Sequence, residues 1–335
     1  NIKLKNNICF WLAFNYFLLT IMIIVGGLTR LTDSGLSITQ WELFSGVLPP
    51  FTDIEWKRYF DLYKEIPEYK LQNFSMNINE FKIIFWWEWG HRFLGRIIGI
   101  SFLIPLIYFY FKIGFQLIKS FLIIFILICF QGFFGWYMVT SGLVDRVDVS
   151  HFRLSVHLVL AFIILSLILW NYLIFSELKK SNNQISQIFP LIFLFLIFMQ
   201  IIIGAFVAGM DAGKIYNTWP LMGESFFPDD NIYANIFSIS AFSDPSLVQF
   251  MHRNLAYIIL ISYLCIFIYI YKKKKYDLYK IINLIGFFLI LQIFLGIITL
   301  INGAQIITSS MHQISSIFLV SSSIYFIYLN LNQRP

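Results

Sequence analysis

Eight stretches of this chain each run for the roughly 20 apolar residues needed to cross a bilayer core. They lie at about 8–28, 93–112, 118–140, 154–175, 187–209, 253–271, 281–301 and 308–329. No water reaches the backbone along such stretches, so each must close its hydrogen bonds internally as a helix. The expected fold class is therefore an all-α integral membrane protein with eight transmembrane helices. Composition agrees: of 335 residues, 59% are hydrophobic and 13% charged, too little polar surface for a water-soluble globule of this size.

The net charge of +6 does not point to nucleic acid, because the lysines sit in short clusters between apolar runs. Lys3 and Lys5 precede the first span, Lys112 and Lys119 separate the second from the third, Lys179 and Lys180 the fourth from the fifth, and Lys272 to Lys275 the sixth from the seventh. All fall on one side, which the positive-inside bias makes the cytoplasm or matrix, with both termini there. The other side receives two long connections, residues 29–90 and 210–250, long enough to fold over the membrane surface. No small-residue cleavage site follows the first apolar run, which reads as an uncleaved span. Cys9, Cys129 and Cys265 all lie within apolar stretches and are expected to be small buried hydrophobes without a disulfide.

The chain repeats itself. GGLTRLTDSGLSITQWELFSGVLPP, from Gly26, aligns with GAFVAGMDAGKIYNTWPLMGESFFP, from Gly204. Gly26/Gly204, Asp33/Asp211, Gly35/Gly213, Trp41/Trp219, Leu43/Leu221 and Pro50/Pro228 are in register at an offset of 178. Further on, His91-Arg92 matches His252-Arg253 and Gln131-x-x-x-Gly135 matches Gln292-x-x-x-Gly296, both at an offset of 161. The expected organisation is two copies of a four-helix bundle, residues 1–180 and 181–335. Because four is even, the copies share one orientation, related by a pseudo-twofold axis along the membrane normal.

Four of the five histidines occupy like places. His91 and His252 open the second and sixth spans, and His157 and His312 lie near the starts of the fourth and eighth. Every even-numbered span runs inward, so all four imidazoles lie at one depth near the outer face. A single histidine there is ordinarily a polar helix cap; four in a repeated unit point to a shared task. Two imidazoles facing one another inside a bundle suit a six-coordinate heme, and each half supplies one pair, His91 with His157 and His252 with His312. Zinc calls for more protein ligands, and a di-iron centre for several carboxylates, which the spans lack. His151 has no counterpart in the second half and is expected to be a solvated loop residue.

Around these ligands, Arg92 and Arg253 each follow a histidine and are candidate propionate contacts; an interfacial anchor is an equally ordinary role for them. Gly95, Gly99, Gly132, Gly135, Gly204 and Gly296 suit close approach of helices or of a flat ring. One residue distinguishes the halves: Glu88, three before His91 and so on the same helix face, is matched before His252 by Gln249. Glu88 is the candidate catalytic residue, a base beside a low-dielectric pocket; the plainer alternative is an interfacial carboxylate paired with Arg92.

The motifs GGLTRLTDSGLSITQW, WEWGHRFLGR, QGFFGWYMVTSGL, RLSVHL, NTWPLM, MHRNLAY and SSMHQ, together spanning essentially the whole chain, resemble those of the heme A synthase family. The match is to its proteobacterial and mitochondrial type, which lacks an outer-loop cysteine pair. The resemblance implies oxidation of the C8 methyl group of heme O, by successive hydroxylations, to the formyl group of heme A for cytochrome oxidase. On the matching positions it implies that His91 and His157 flank the substrate heme, that Glu88 is essential, and that His252 and His312 ligate a resident heme b. An iron held by two histidines offers no open position for dioxygen, which favours electron withdrawal through the ring and attack of water at the oxidised methyl carbon. Heme O is then the substrate, with membrane lipid around the chain. Heme O synthase, an electron acceptor and a second copy of the chain are candidate partners. The expected location is a bacterial inner membrane rather than a mitochondrial one. A di-heme membrane cytochrome or quinol oxidoreductase is the alternative; it leaves the Glu88/Gln249 difference without a role. A transporter built from parallel repeats is a third reading, against which stands the lack of ionisable residues near the span midpoints.

Overall fold

In the computed structural model, residues 2–41, 45–144 and 147–331 are described; Leu43 of the sequence repeat lies outside them. The described chain is helical, with ten α-helices joined by turns and short 3-10 segments. Eight helices are long and apolar enough to cross a membrane. These are α1 (Ile2–Leu31), α4 (Ile78–Ile113), α5 (Phe115–Gly142), α6 (His151–Ser176), α7 (Ile188–Gly209), α8 (Pro245–Lys272), α9 (Tyr279–Ile301) and α10 (Ile306–Leu329). The first long connection adds α2 (Asp53–Lys64) and α3 (Pro67–Leu71).

The number of spans is as the apolar runs require, but two helices begin well outside them. At 36 residues, α4 is roughly 54 Å long at 1.5 Å per residue, far more than a hydrocarbon core of about 30 Å. Its start is set by chemistry rather than hydropathy: Asn77 caps the first turn and Glu80 reaches back to the Asn77 N–H, a reciprocal capping box. Likewise α8 starts at Pro245 behind the Asp244 cap. His91 and His252 are therefore held inside rigid helices, not at their mouths as the apolar windows suggest.

Two compact units divide the chain, Phe17–Ala161 and Asn1–Tyr16 with Phe162–Pro335. In the first, α4 packs on α5, and the connection after α1 packs Trp56, Phe60 and Tyr63 against Phe81 and Phe85 of the first turns of α4. In the second, α7 packs on α8 and α9 on α10, with α10 the most enclosed. Large apolar side chains such as Ile104, Phe111, Phe195, Ile261 and Ile290 point outward, as helices solvated by lipid require. Cys129 and Cys265 share that outward face and Cys9 is half-buried; all three are free thiols. The expectation that they are buried hydrophobes is corrected for these two, because lipid around the bundle tolerates apolar side chains as well as a protein interior does.

The two copies end their first helices alike. Asp33 and Asp211 both adopt the left-handed conformation, φ 48° and 51°, which Asp tolerates better than most residues. Each also pairs with a nearby cation, Arg30 at 2.6 Å and Lys214 at 3.0 Å. That backbone turn accounts for the Asp repeated in the sequence.

Candidate functional site

The structure brings the histidines together in two pairs, one in each unit. His91 of α4 faces His157 of α6 with ring centroids 6.4 Å apart and planes at 83°. His252 of α8 faces His312 of α10 at 6.5 Å and 76°. Each ring lies against a glycine of the neighbouring span. A Cβ at Gly26 would come within 3.2 Å of His91 Nε2, and Cβ atoms at Gly135, Gly204 and Gly296 within 3.1, 3.1 and 3.0 Å of the Cε1 atoms of His157, His252 and His312. Odd-numbered spans supply the glycine and even-numbered spans the imidazole, four times over.

The residues present fit a bis-imidazole metal site. Two imidazoles that share one metal ion, with nitrogen–metal bonds of about 2 Å, place their ring centroids at about this separation. The Nδ1 atoms of His157 and His252 are buried and have no hydrogen-bond partner in the structure, an unusual state for buried polar atoms that marks them as awaiting one. His312 Nδ1 lies 3.0 Å from the Gln292 carbonyl oxygen. It must carry the proton there, which leaves Nε2 with its lone pair. Among the described residues no group of three or more His, Cys, Asp or Glu assembles.

Glu88 is buried in α4 one turn before His91. It is not bare: Oε2 accepts from the Ser37 hydroxyl and the Ile38 N–H, both at 2.7 Å, and Oε1 from Arg92 Nη2 at 2.5 Å. Three donors, one of them charged, offset the cost of burying a carboxylate. Arg92 also donates to the Ile38 carbonyl at 3.0 Å and stacks over Trp41 at 5.1 Å. In the second copy Gln249 is equally buried and donates to the Tyr216 carbonyl at 3.1 Å. Arg253 donates to Tyr216 at 2.9 Å and to the Thr218 and Leu221 carbonyls at 2.9 and 3.2 Å. Ile38 and Tyr216 are themselves 178 residues apart, so the repeat extends to these contacts. Both arginines strap the loop after the preceding glycine helix onto the histidine helix. Gln249, lacking an anionic oxygen, reverses the polarity of the contact that Glu88 makes.

His151 is the first residue of α6, half-buried and 4.1 Å from Phe152. This corrects its expected place as a solvated loop residue; the helix begins earlier than the apolar run and takes it in. Outside the spans, Glu68 is enclosed beside Tyr63 and Asn73. Burial pushes its carboxyl up to about 8 against the opposing hydrogen bond from Tyr63, and the like charge of Glu88 adds to the rise.

Sequence reasoning missed one set of residues. Gln131 Nε2 donates to the His157 carbonyl at 3.0 Å and Gln200 Nε2 to the His252 carbonyl at 3.0 Å. The Gln292 side-chain oxygen accepts from Ser315 Oγ, whose one hydroxyl proton has the His312 carbonyl, 2.9 Å away, as its alternative acceptor. The available signal was Gln-x-x-x-Gly, present at 131–135, 200–204 and 292–296. Only the first and last match one another across the halves, because the position equivalent to Gln200, at the offset of 178, is Met22.

Over residues 9–324 the chain matches the family model COX15-CtaA, described as cytochrome oxidase assembly protein. It is 50% identical over 324 residues to the heme A synthase of Pelagibacter ubique (strain HTCC1062), covering 96% of each chain. Identity to the heme A synthase of Rickettsia bellii (strain OSU 85-389) is 44% over 335 residues, or 96% of this chain and 98% of that one. To the heme A synthase of Flavobacterium johnsoniae it is 40% over 338 residues, 96% and 97%.

Proposed function

The chain belongs to the COX15-CtaA family of cytochrome oxidase assembly proteins, and from that premise we propose that it is a heme A synthase, oxidising the C8 methyl group of heme O to a formyl group by successive hydroxylations with water as the oxygen source. Residues 1–180 form the substrate half, where His91 and His157 hold heme O. Residues 181–335 form the second half, where His252 and His312 hold heme b. When bound, heme b supplies a one-electron carrier.

The observation that carries this reading is the difference between two otherwise matching contacts, Glu88 against Ile38 and Gln249 against Tyr216. Each hydroxylation by water releases protons, and at this buried position a carboxylate is present only in the half assigned to substrate. Glu88 is held in place by Ser37, Ile38 and Arg92, which orients it to take a proton or align the attacking water. Bis-imidazole ligation closes both faces of the substrate iron, which favours water over bound dioxygen as the oxygen donor. Arg92 and Arg253 stand as candidate propionate contacts through guanidinium edges that the loop carbonyls leave unused.

Heme O synthase as supplier of substrate and an electron acceptor in the same membrane complete the scheme. A bacterial inner membrane, with both termini cytoplasmic, is the proposed location. The test is purified Glu88→Gln: it retains heme O and heme b but converts heme O to heme A at least about a hundredfold more slowly. Loss of heme along with activity assigns Glu88 to holding the Ile38 loop instead, and a normal rate removes its catalytic role.

A further inference from the structure

Three of the four glycines that cradle a ligand are preceded, four residues earlier, by glutamine: Gln131, Gln200 and Gln292. Gln131 and Gln200 donate directly to the backbone carbonyl of the histidine opposite at 3.0 Å, and Gln292 accepts from Ser315, one turn beyond His312 on the same helix. None of these links uses a nitrogen that a ligand bond to iron would need. They hold the glycine helix and the histidine helix together at the level of the imidazole.

The fourth place breaks the pattern. Four residues before Gly26 stands Met22, whose thioether cannot donate. Its terminal methyl lies 3.2 Å from where a Cβ of Gly95 would be, one turn beyond His91. Here Met22 of α1 packs its methyl against α4, and between the two helices Thr29 reaches the Trp87 carbonyl over a long 3.4 Å. Neither the His91 ring nor the His157 ring has a hydrogen-bond partner among the described residues, whereas His252 Nε2 lies 3.2 Å from Gln200 Nε2 and His312 Nδ1 donates at 3.0 Å to the backbone carbonyl of Gln292, its Nε2 lying 3.4 Å from the Gln292 side chain. A carbonyl that accepts the N–H of a ligand imidazole, as at His312, orients the ring and raises its basicity, and the Gln200 amide fixes the place of the His252 ring. Methionine, flexible and unbranched, is also the apolar side chain best suited to a seam that must part and re-form.

We infer that His91 is the ligand that lets go: the seam between α1 and α4 at Met22 and Gly26 opens so that an iron porphyrin enters and leaves the first half, while Gln200 and Gln292 are positioning residues that keep the porphyrin of the second half resident. This rests on the bis-histidine reading of both halves. It gives a physical reason why two copies of one scaffold treat one porphyrin as substrate and the other as cofactor.

The test follows heme transfer from the detergent-purified full chain, loaded with heme O, to excess apomyoglobin, with the pigments remaining identified by chromatography. Met22→Gln installs the missing donor and is expected to slow loss of heme O about tenfold. Gln200→Met is expected to speed loss of heme b by about the same factor, with its reduced low-spin absorption band weakened in step. Slower release cannot come from misfolding, so the first variant keeps the inference falsifiable if the second is unstable. Unchanged or opposite rates in Met22→Gln overturn the release role of His91, and unchanged retention in Gln200→Met overturns the positioning role. If heme content is indifferent to His91→Ala and to His252→Ala, the bis-histidine reading fails first.

Discussion

Glu88 accepts the backbone N–H of Ile38 at 2.7 Å, whereas Gln249, in the matching place, donates to the backbone carbonyl of Tyr216 at 3.1 Å. The loop strand is turned differently in the two copies to suit the side chain. Gln249→Glu would set a carboxylate against that carbonyl, two acceptors with no proton between them. The expected outcome is a loss of roughly 1–3 kcal/mol in stability, read as a lower midpoint of thermal unfolding in detergent, with no gain of oxidising activity in the second half.

Arg92 and Arg253 do different electrostatic work in equivalent positions. Removing Arg92 leaves a buried carboxylate without its counter-charge, which costs on the order of 3–5 kcal/mol. Removing Arg253 uncovers carbonyls only, at about 1–3 kcal/mol. Arg92→Leu is therefore expected to unfold at lower denaturant than Arg253→Leu. The ranking should shrink when Glu88→Gln is introduced beside Arg92→Leu, a double-mutant cycle that isolates the pair.

The glycine cradles are predicted to be specific to their own half. Side chains at Gly135 and Gly296 would meet His157 and His312 at 3.1 and 3.0 Å with the first carbon alone, so Gly135→Val and Gly296→Val must push the imidazoles aside. Each variant should bind one heme instead of two. Gly135→Val should lose heme O and Gly296→Val heme b, as read by extraction. A chain that only passes electrons would instead contain heme b in both halves.

Glu68 gives the outer connection a pH dependence of definite sign. Its folded-state value of about 8 lies above the ordinary carboxylate value of 4.5, so the native state holds a proton that the unfolded chain has released. Stability from this group is full below about pH 4.5, falls by up to about 1.4 kcal/mol per pH unit between 4.5 and 8, and is lost above. Limited proteolysis of residues 53–77 should accelerate as pH rises towards 8. Glu68→Gln, which needs no proton to stay neutral, should flatten the profile.

Much of this arrangement is legible in the sequence, for identifiable reasons. The eight spans follow from apolar length, and the pairing of His91 with His157 and of His252 with His312 from four histidines at like places in a repeat. The starts of α4 and α8 were hidden because Asn77, Glu80 and Asp244 set them by capping, which hydropathy does not register. The pairing of Arg92 with Glu88 is legible from their spacing of four, but the loop partners of Arg92 and Arg253 were hidden because they are backbone carbonyls of Ile38 and Tyr216, reached only through the path of the connecting loop. The glutamine links were half visible: their spacing repeats, but Met22 shows its meaning only once Gly26 is seen against His91.

An enzyme whose cofactor and substrate are nearly the same molecule risks consuming its own cofactor. Both porphyrins would meet the same glycine-backed imidazole cradle, and a scaffold copied faithfully would expose both to the same oxidation. Gln249 differs from Glu88 by one atom of polarity, fills the same buried place and is fixed to the loop through Tyr216. It preserves the socket while removing the proton acceptor. If the two halves hold substrate and cofactor as proposed, that single substitution would insulate the resident porphyrin from the chemistry done next to His91, a safeguard against self-modification built from the same parts as the reaction.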